Sequence, residues 1–259
     1  MFMAARRARR LPAPGGRGQM SGDGARLALR PRLETALSML QGRAVVADVG
    51  CDHGRLCCAL LQRDAHARCI ASDVSAPSLQ KARELAQVVG LADRISFRCG
   101  DGLSVLEMGE AEAVALLGMG GTLMARLLDA CPVPMMGAGL LVLQPMRAEA
   151  DIRSYLFMRG YRVEEDRVVR DAGRLYQVFS VRPPCASGRD AWPAGFPEGC
   201  FTVGYRAFER REPLLVPLVK RQLDQCEKRL ATARGTPGEA PLVQKARQMQ
   251  AILDRWEDV

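Results

Sequence analysis

Histidine is nearly absent from this chain of 259 residues: His53 and His66 are the only two. A His-rich metal centre is thereby excluded, and no metal is expected. Nine cysteines are present, Cys51, Cys57, Cys58, Cys69, Cys99, Cys131, Cys185, Cys200 and Cys226, yet no two form C-x-x-C and most stand in apolar stretches. They read as small buried hydrophobes in a reducing cytosol, with neither a disulfide framework nor a zinc site implied. No apolar run approaches the roughly 20 residues that a membrane span needs. No internal repeat is found. Acidic residues are missing before Met20, where Arg6, Arg7, Arg9, Arg10 and Arg17 all stand. The formal net charge is +8, and without those five arginines the remainder carries about +3. A polyanionic partner is permitted but not identified by such a balance.

The stretch "MFMAARRARRLPAPGGRGQM" reads as a disordered basic leader, or as a start placed ahead of a true start at Met20. It lacks the Ser content and amphipathic length of a mitochondrial presequence and the apolar core of a secretory signal. A phosphate-binding arm is the sharper alternative.

What is present is a strict alternation. "RLETALSML" has the helical spacing Leu33, Leu37, Leu40, and "AVVADVG" (44–50) is a short apolar strand. "RLCCALLQR" is a helix, "ARCIASDV" (67–74) a strand, and "SAPSLQKARELAQVVG" a helix with Ser75 as N-cap, Pro77 in its first turn and Gly90 as its stop. Strands follow at "RISFRCGDGL", at "EAVALLGMGG" (112–121) and at "GAGLLVLQP" (137–145), the last two each followed by a helix. "YRVEEDRVVRD" and "RLYQVFSVRP" are two strands joined at Ala172-Gly173 with no helix between them. This predicts an α/β fold: a Rossmann-like, seven-stranded, mostly parallel sheet with an antiparallel edge hairpin. The Pro/Gly/Ala-rich run 182–199 reads as a linker. "FERREPLLVPLVKRQLDQCEKRLATA" and "PLVQKARQMQAILDRW", broken by "GTPGEA", predict a helical hairpin with Leu215, Val219, Leu223, Cys226 and Leu230 on one face. That hairpin serves packing or dimerisation, or turns its basic residues to RNA. The expected division is a leader over 1–24, an α/β domain over 25–183, a linker over 184–199 and a small helical, coiled-coil-like domain over 200–259.

The chemistry concentrates at strand ends. "VVADVGCDHGRL" gives D-x-G-x-x-x-G, with Asp48, Gly50, Asp52, His53 and Gly54. In a doubly wound sheet, ligands sit beyond the carboxyl ends of the strands. Asp52 sets a negative charge where a pyrophosphate would lie, so a dinucleotide is poorly served. A donor carrying ammonium and sulfonium cations, S-adenosylmethionine, suits Asp48 and Asp52 better; a tight turn with no ligand is the bland alternative. Asp73 stands 23 residues after Gly50, where an acid can take two ribose hydroxyls, or cap the next helix. Asp101 in "CGDGL" can accept from an adenine amino group, or be a turn aspartate. Gly118–Gly121 leave room for a substrate base, or merely start a helix, and Gln144 can offer donor and acceptor to a base edge.

With those residues in view, the chain resembles the bacterial tRNA (adenine(22)-N1)-methyltransferases, class I S-adenosylmethionine enzymes. The resemblance runs from about Arg32 to Val181 and is carried by "RLETALSML", "ADVGCDHGRL", "GLADRISFRCGDGL", "LLGMGGTLMARLL" and "LVLQPMRAEADIRSYLFMRGY". It implies a methyltransferase domain, a C-terminal helical domain, tRNA as partner and a cytoplasmic enzyme, monomeric or weakly dimeric through its C-terminal helices. Cofactor contacts are implied for Arg32, Asp48, Gly50, Cys51, Asp52, Asp73, Val74, Asp101, Gly102, Gly118, Met119, Gly120 and Gly121. Catalytic roles are implied for Asp52, His53, Gln144 and Arg55. Two departures stand out. The family's D-H-A-Y-L-P is here Asp52-His53-Gly54-Arg55-Leu56-Cys57, and its Q-P-N is Gln144-Pro145-Met146. Arg55 could stack on the base or hold a phosphate. A methyltransferase for another RNA, a small molecule or a protein shares every cofactor feature. An NAD-dependent dehydrogenase is disfavoured by Asp52 and by the final hairpin. A non-catalytic tRNA-binding relative is the third class.

Overall fold

The structure is a computed structural model that describes residues 26–132, 137–184 and 194–257. The basic leader, Cys185 and the centre of the expected linker lie outside the described residues.

Five strands, β1 (Val45–Val49), β2 (Arg68–Asp73), β3 (Ile95–Cys99), β4 (Ala113–Gly120) and β5 (Leu140–Arg147), run parallel, and β6 (Arg162–Asp171) and β7 (Arg174–Arg182) form a hairpin. The sheet order is β3-β2-β1-β4-β5-β7-β6. β7 lies antiparallel to both β5 and β6 and so separates them. The hairpin turns at Ala172 (φ 48°) and Gly173 (φ 76°), the two positive φ values of a tight primed turn.

The parallel strands read as nearly continuous apolar runs because both faces are covered. Val46 of β1 packs with Leu37 of α1 (Pro31–Leu40), Leu60 of α2 (Arg55–Arg63) and Leu79 of α3 (Ala76–Val88). Ala47 and Val49, on the other face, pack with Met124 of α4 (Gly121–Ala130) and Ile152 of α5 (Glu149–Met158). Asp48 is the one charged residue in β1. The pleat puts it on the Val46 side, over α2. Ser75 caps α3 as its sequence predicts, its Oγ accepting from the Ser78 N–H at 3.3 Å.

The C-terminal part holds α6 (Tyr205–Glu209), α7 (Leu215–Ala233) and α8 (Glu239–Glu257). The stretch from Phe208, expected to be mostly helical, has a break near its start: Arg211 takes φ 54° and α7 begins at Leu215. Burial along α7 fades toward its tip, since Leu215, Val219 and Cys226 are buried while Leu223 and Leu230 are half-buried. Phe196, placed by composition in a linker, is buried in a third core with Val168 of β6, Tyr205, Phe208 and Met249. Arg153 of α5 clamps this junction. Its guanidinium donates to both carboxylate oxygens of Asp166 (2.8 and 2.9 Å) and to Gln177 Oε1 (3.0 Å), and Gln177 Nε2 donates to the Thr202 carbonyl (2.9 Å). Gly204 must be glycine here, because a Cβ would stand 1.6 Å from Asp166 Oδ2.

Candidate active site

A cavity of about 560 Å³ opens at the carboxyl ends of the strands, where the chain order reverses between β1 and β4. Its size is that of a small-molecule site. Of the residues singled out in the sequence, Arg32, Asp48, Gly50, Cys51, Asp52, His53, Arg55, Asp73, Val74, Asp101, Gly102, Gly118, Met119 and Gln144 all line it. Gly120 and Gly121 do not. Gly121 begins α4 against the β5–α5 turn, and a Cβ on it would meet the Ala148 carbonyl oxygen at 2.0 Å. Its small size serves packing, whereas nothing stands within 4 Å of a Cβ built on Gly118.

The loop between β1 and α2 turns its backbone donors inward. The N–H groups of Gly50 and Cys51 both donate to the Ser72 carbonyl (2.8 and 2.9 Å), and that of Gly54 donates to the Cys51 carbonyl (2.8 Å). The Asp52 N–H donates to Asp73 Oδ2 at 3.1 Å. A phosphate-binding turn presents such groups to its ligand; here four of the five are already engaged. Gly54 has a left-handed φ of 66°, and a Cβ on it would lie 2.8 Å from the Cβ of Ala82 on α3. The second glycine of the motif thus answers to helix packing as well as to the turn.

Carboxylates face the cavity instead. Asp48 is 4% exposed, and its hydrogen-bond donor is the Cys57 thiol, 3.7 Å from Oδ2. Burial pushes its carboxyl up to about 7; the Cys57 hydrogen bond opposes the rise, and the charges of Asp73 and Asp52 add to it. The Cys51 thiol is driven above its ordinary range by burial and by Asp48, which keeps it protonated. Asp73 holds the loop and the next helix together, accepting from the Asp52 N–H and, through Oδ1, from the Ser75 N–H at 2.8 Å. A carboxylate accepts about four hydrogen bonds, so room for two ribose hydroxyls remains. Asp101 stands exposed at the β3 tip, and its side chain does not cap the short helical turn that follows. The Asp52 side chain is 71% exposed, its backbone takes φ 49°, and its Oδ2 lies 2.7 Å from His53 Nδ1.

At the β5 tip the structure differs from expectation. Gln144 is 1% exposed, its Oε1 accepts from Arg32 Nη1 at 3.2 Å and its Nε2 donates to the Pro145 carbonyl at 2.9 Å. The amide faces its own protein rather than a base edge. Arg32 reaches it from α1, with Nε 3.3 Å from the buried Asp171 carboxylate and the guanidinium 5.5 Å from the Tyr176 ring centre. Arg55, expected to stack on a base or hold a phosphate, donates from Nη2 to the Ala28 carbonyl at 2.7 Å. Sequence reasoning missed Leu123 and treated Met146 only as a lost amide; both line the cavity, partly exposed.

Residues 29–179 match the methyltransferase-domain family. Over 165 residues the chain is 33% identical to the tRNA (adenine(22)-N1)-methyltransferase of Bacillus subtilis, covering 64% of this chain and 68% of that protein. The chain belongs to the tRNA (adenine(22)-N1)-methyltransferase family. Solved structures align with most of the chain. The B. subtilis m1A22 tRNA methyltransferase TrmK is 25% identical with a TM-score of 0.73, over 88% of this chain and 98% of that one. A Streptococcus pneumoniae protein proposed to be a tRNA (m1A22) methyltransferase, solved with S-adenosyl-L-methionine, is 26% identical with a TM-score of 0.72, over 86% and 98%.

Proposed function

We propose that this chain transfers the methyl group of S-adenosylmethionine to N1 of an adenine in tRNA, position 22 by family membership, with Asp48, Asp52 and Asp73 as the acids that receive the donor. One observation carries the reading: four of the five N–H groups of the first loop are engaged within the chain, and carboxylates line the cavity. That arrangement repels a diphosphate and attracts a cation.

S-adenosylmethionine supplies a methyl group on a sulfonium centre, transferred by in-line displacement. Adenine N1 carries an in-plane lone pair and needs no base to activate it, so the chain contributes mainly alignment and charge accommodation. Asp73 is placed to take the ribose hydroxyls and Asp101 the adenine amine of the donor. N1 lies on the Watson–Crick edge, so a paired or stacked target must be extruded first. The methylated base is cationic, and Asp52 at the cavity mouth favours that charge. His53, bonded through Nδ1 to Asp52, keeps Nε2 for orienting the base. Arg55 stiffens the segment ahead of α1 through Ala28, and Gln144 acts as a positioning residue.

tRNA is the macromolecular partner. The eight described cysteines are all free, as in a reducing compartment, and we place the enzyme in the cytoplasm with its tRNA. No helix among the described residues is long and apolar enough to cross a membrane. Among the same residues no cluster of His, Cys, Asp or Glu is disposed to hold a metal. The half-buried outer stripe of α7 suits a monomer or a weak dimer through the C-terminal helices. The test is transfer of labelled methyl from S-adenosylmethionine to bulk tRNA, followed by nucleoside mass spectrometry for 1-methyladenosine. Asp52→Ala should abolish incorporation. Full activity of that variant removes Asp52 from the mechanism, and incorporation into protein or small molecules but not tRNA removes the substrate reading.

A further inference from the structure

At the tips of β4 and β5 the cavity wall changes from acidic to apolar. Six large hydrophobic side chains stand well exposed among the described residues, and three of them, Val74, Leu123 and Met146, line this one cavity. Apolar surface gathered in a concavity marks a ligand contact. Val74 follows the ribose acid Asp73, on the donor's nucleoside side. Leu123 (38% exposed) and Met146 (39% exposed) belong to the β4–α4 and β5 tips, across the point where the strand order reverses.

Met146 is held in place. Its Sδ accepts from Arg32 Nη1 at 3.1 Å and faces Gln144 Nε2 at 3.5 Å. Arg32 is itself fixed by Asp171, Gln144 and the Tyr176 ring. Both hydrogens of the Gln144 amide are directed at Pro145 and Met146, its carbonyl receives Arg32, and the residue is buried. Little hydrogen-bonding capacity is left there for a substrate.

We propose that Met146, together with Leu123, is the platform on which the target adenine stacks, and that Arg32 and Gln144 position this platform without reading the base. The proposal rests on the tRNA-adenine reading above. Its chemistry is sufficient for selection. Guanine N1 carries a proton at neutral pH and offers no in-plane lone pair, so the acceptor base is chosen largely by its own nucleophilicity. The site then has to hold a flat purine at the right height, and sulfur–aromatic contact does that. A polarisable thioether also tolerates the cationic product, while Asp171 offsets the charge of Arg32.

The test uses the full chain and a synthetic tRNA in which the target adenine is replaced by purine, which keeps N1 and loses the exocyclic amine. A site that hydrogen-bonds a substrate group rejects the analogue lacking it by about 10⁴ to 10⁵ in kcat/KM. The platform predicts a loss below about a thousandfold, from the lower nucleophilicity of purine N1; a larger loss overturns it. In parallel, Met146→Ala should raise the tRNA KM about three- to tenfold while leaving the dissociation constant of S-adenosylhomocysteine unchanged by calorimetry. Met146→Leu should recover most of that loss. A lower KM in Met146→Asn than in the parent overturns the proposal, because an amide would then serve the base better than a thioether. Failure of the parent chain to form 1-methyladenosine in the natural tRNA is a different result and overturns the functional reading itself.

Discussion

Two buried aspartates sit in the same sheet and meet opposite fates. Asp166 on β6 is fully enclosed, yet Arg153 grips both of its oxygens and Arg153 in turn lies 4.1 Å from the Phe179 ring centre. Asp48 on β1 is nearly as enclosed, yet its donor is a thiol and its charged neighbours are two more carboxylates. Burial raises both carboxyls; at Asp166 the Arg153 charge pulls back, and at Asp48 only the weak Cys57 hydrogen bond does. One acid carries its counter-ion within the chain and serves as a joint. The other has no cationic partner among its hydrogen-bond and charge neighbours, and in the function proposed above the donor supplies one. A buried charge without a partner is costly, and a cation seated against Asp48 would offset that cost.

The sharpest way to break this contrast is to make Asp166 resemble Asp48. Arg153→Met leaves the carboxylate enclosed and unpaired, which costs about 3–5 kcal/mol. The midpoint of thermal unfolding should fall by roughly 6–20 °C. Hydrogen exchange should rise first across residues 196–208, which pack on the clamp, while affinity for S-adenosylhomocysteine stays at the parent value. A double change, Arg153→Met with Asp166→Leu, should recover most of the stability, because a matched apolar pair needs no desolvated charge.

The second test concerns pH. Asp48 titrates near 3.9 in an unfolded chain and near 7 when folded. Between those values the folded state holds a proton that the unfolded state has lost. Its contribution to stability is therefore full below about pH 4, declines as pH rises and is gone above about 7. From pH 5 to 8 the ligand-free protein should lose roughly 3 kcal/mol through this group. Asp166 and Glu212 shift in the same direction, so the informative quantity is the difference between parent and Asp48→Asn in denaturant titrations at the two pH values. An unchanged slope in the variant would mean that Asp48 is not the group responsible.

A smaller effect separates the two ligands. S-adenosylmethionine has a sulfonium that S-adenosylhomocysteine lacks. If Asp48 draws the cation, Asp48→Asn should weaken the donor about tenfold more than the product, a difference of about 1.4 kcal/mol that a charge several ångströms away can supply. Calorimetric titration of both ligands against parent and variant measures it, and equal losses would assign Asp48 to the ammonium alone.

Much of this contrast was legible in the sequence at one end only. "VVADVG" announces a charged residue inside an apolar strand, and Asp73 and Asp101 recur at the following strand ends. The parallel order and the last hairpin followed from helices present or missing between strands. The other end gave no such signal. Arg153 and Asp166 lie in segments of mixed polarity, and their pairing depends on how α5 lies over β6, which local spacing does not encode. Gln144 pointed outward on sequence grounds because the residue that claims it, Arg32, lies 112 positions away. Gly54 looked like a turn glycine and Gly121 like a ligand clearance, and only the packing of α3 and of the β5–α5 turn shows what each accommodates. Phe196 was hidden by the Pro/Gly composition around it.

A third carboxylate completes the series by removing burial altogether. Asp224 on α7 accepts from Lys228 Nζ at 2.7 Å, one helical turn on, and both side chains are largely exposed. Water already solvates each charge, so the pair gains little and screening by salt reduces it further. Asp224→Ala should change stability by only about 0.3–0.5 kcal/mol, and the difference should vanish in 1 M salt. Chemical denaturation of parent and variant at low and high salt reads both quantities. A loss as large as that from Arg153→Met would mean that α7 is buried against something in solution, such as a second copy of the chain, and the exposed end of the series would have to be redrawn.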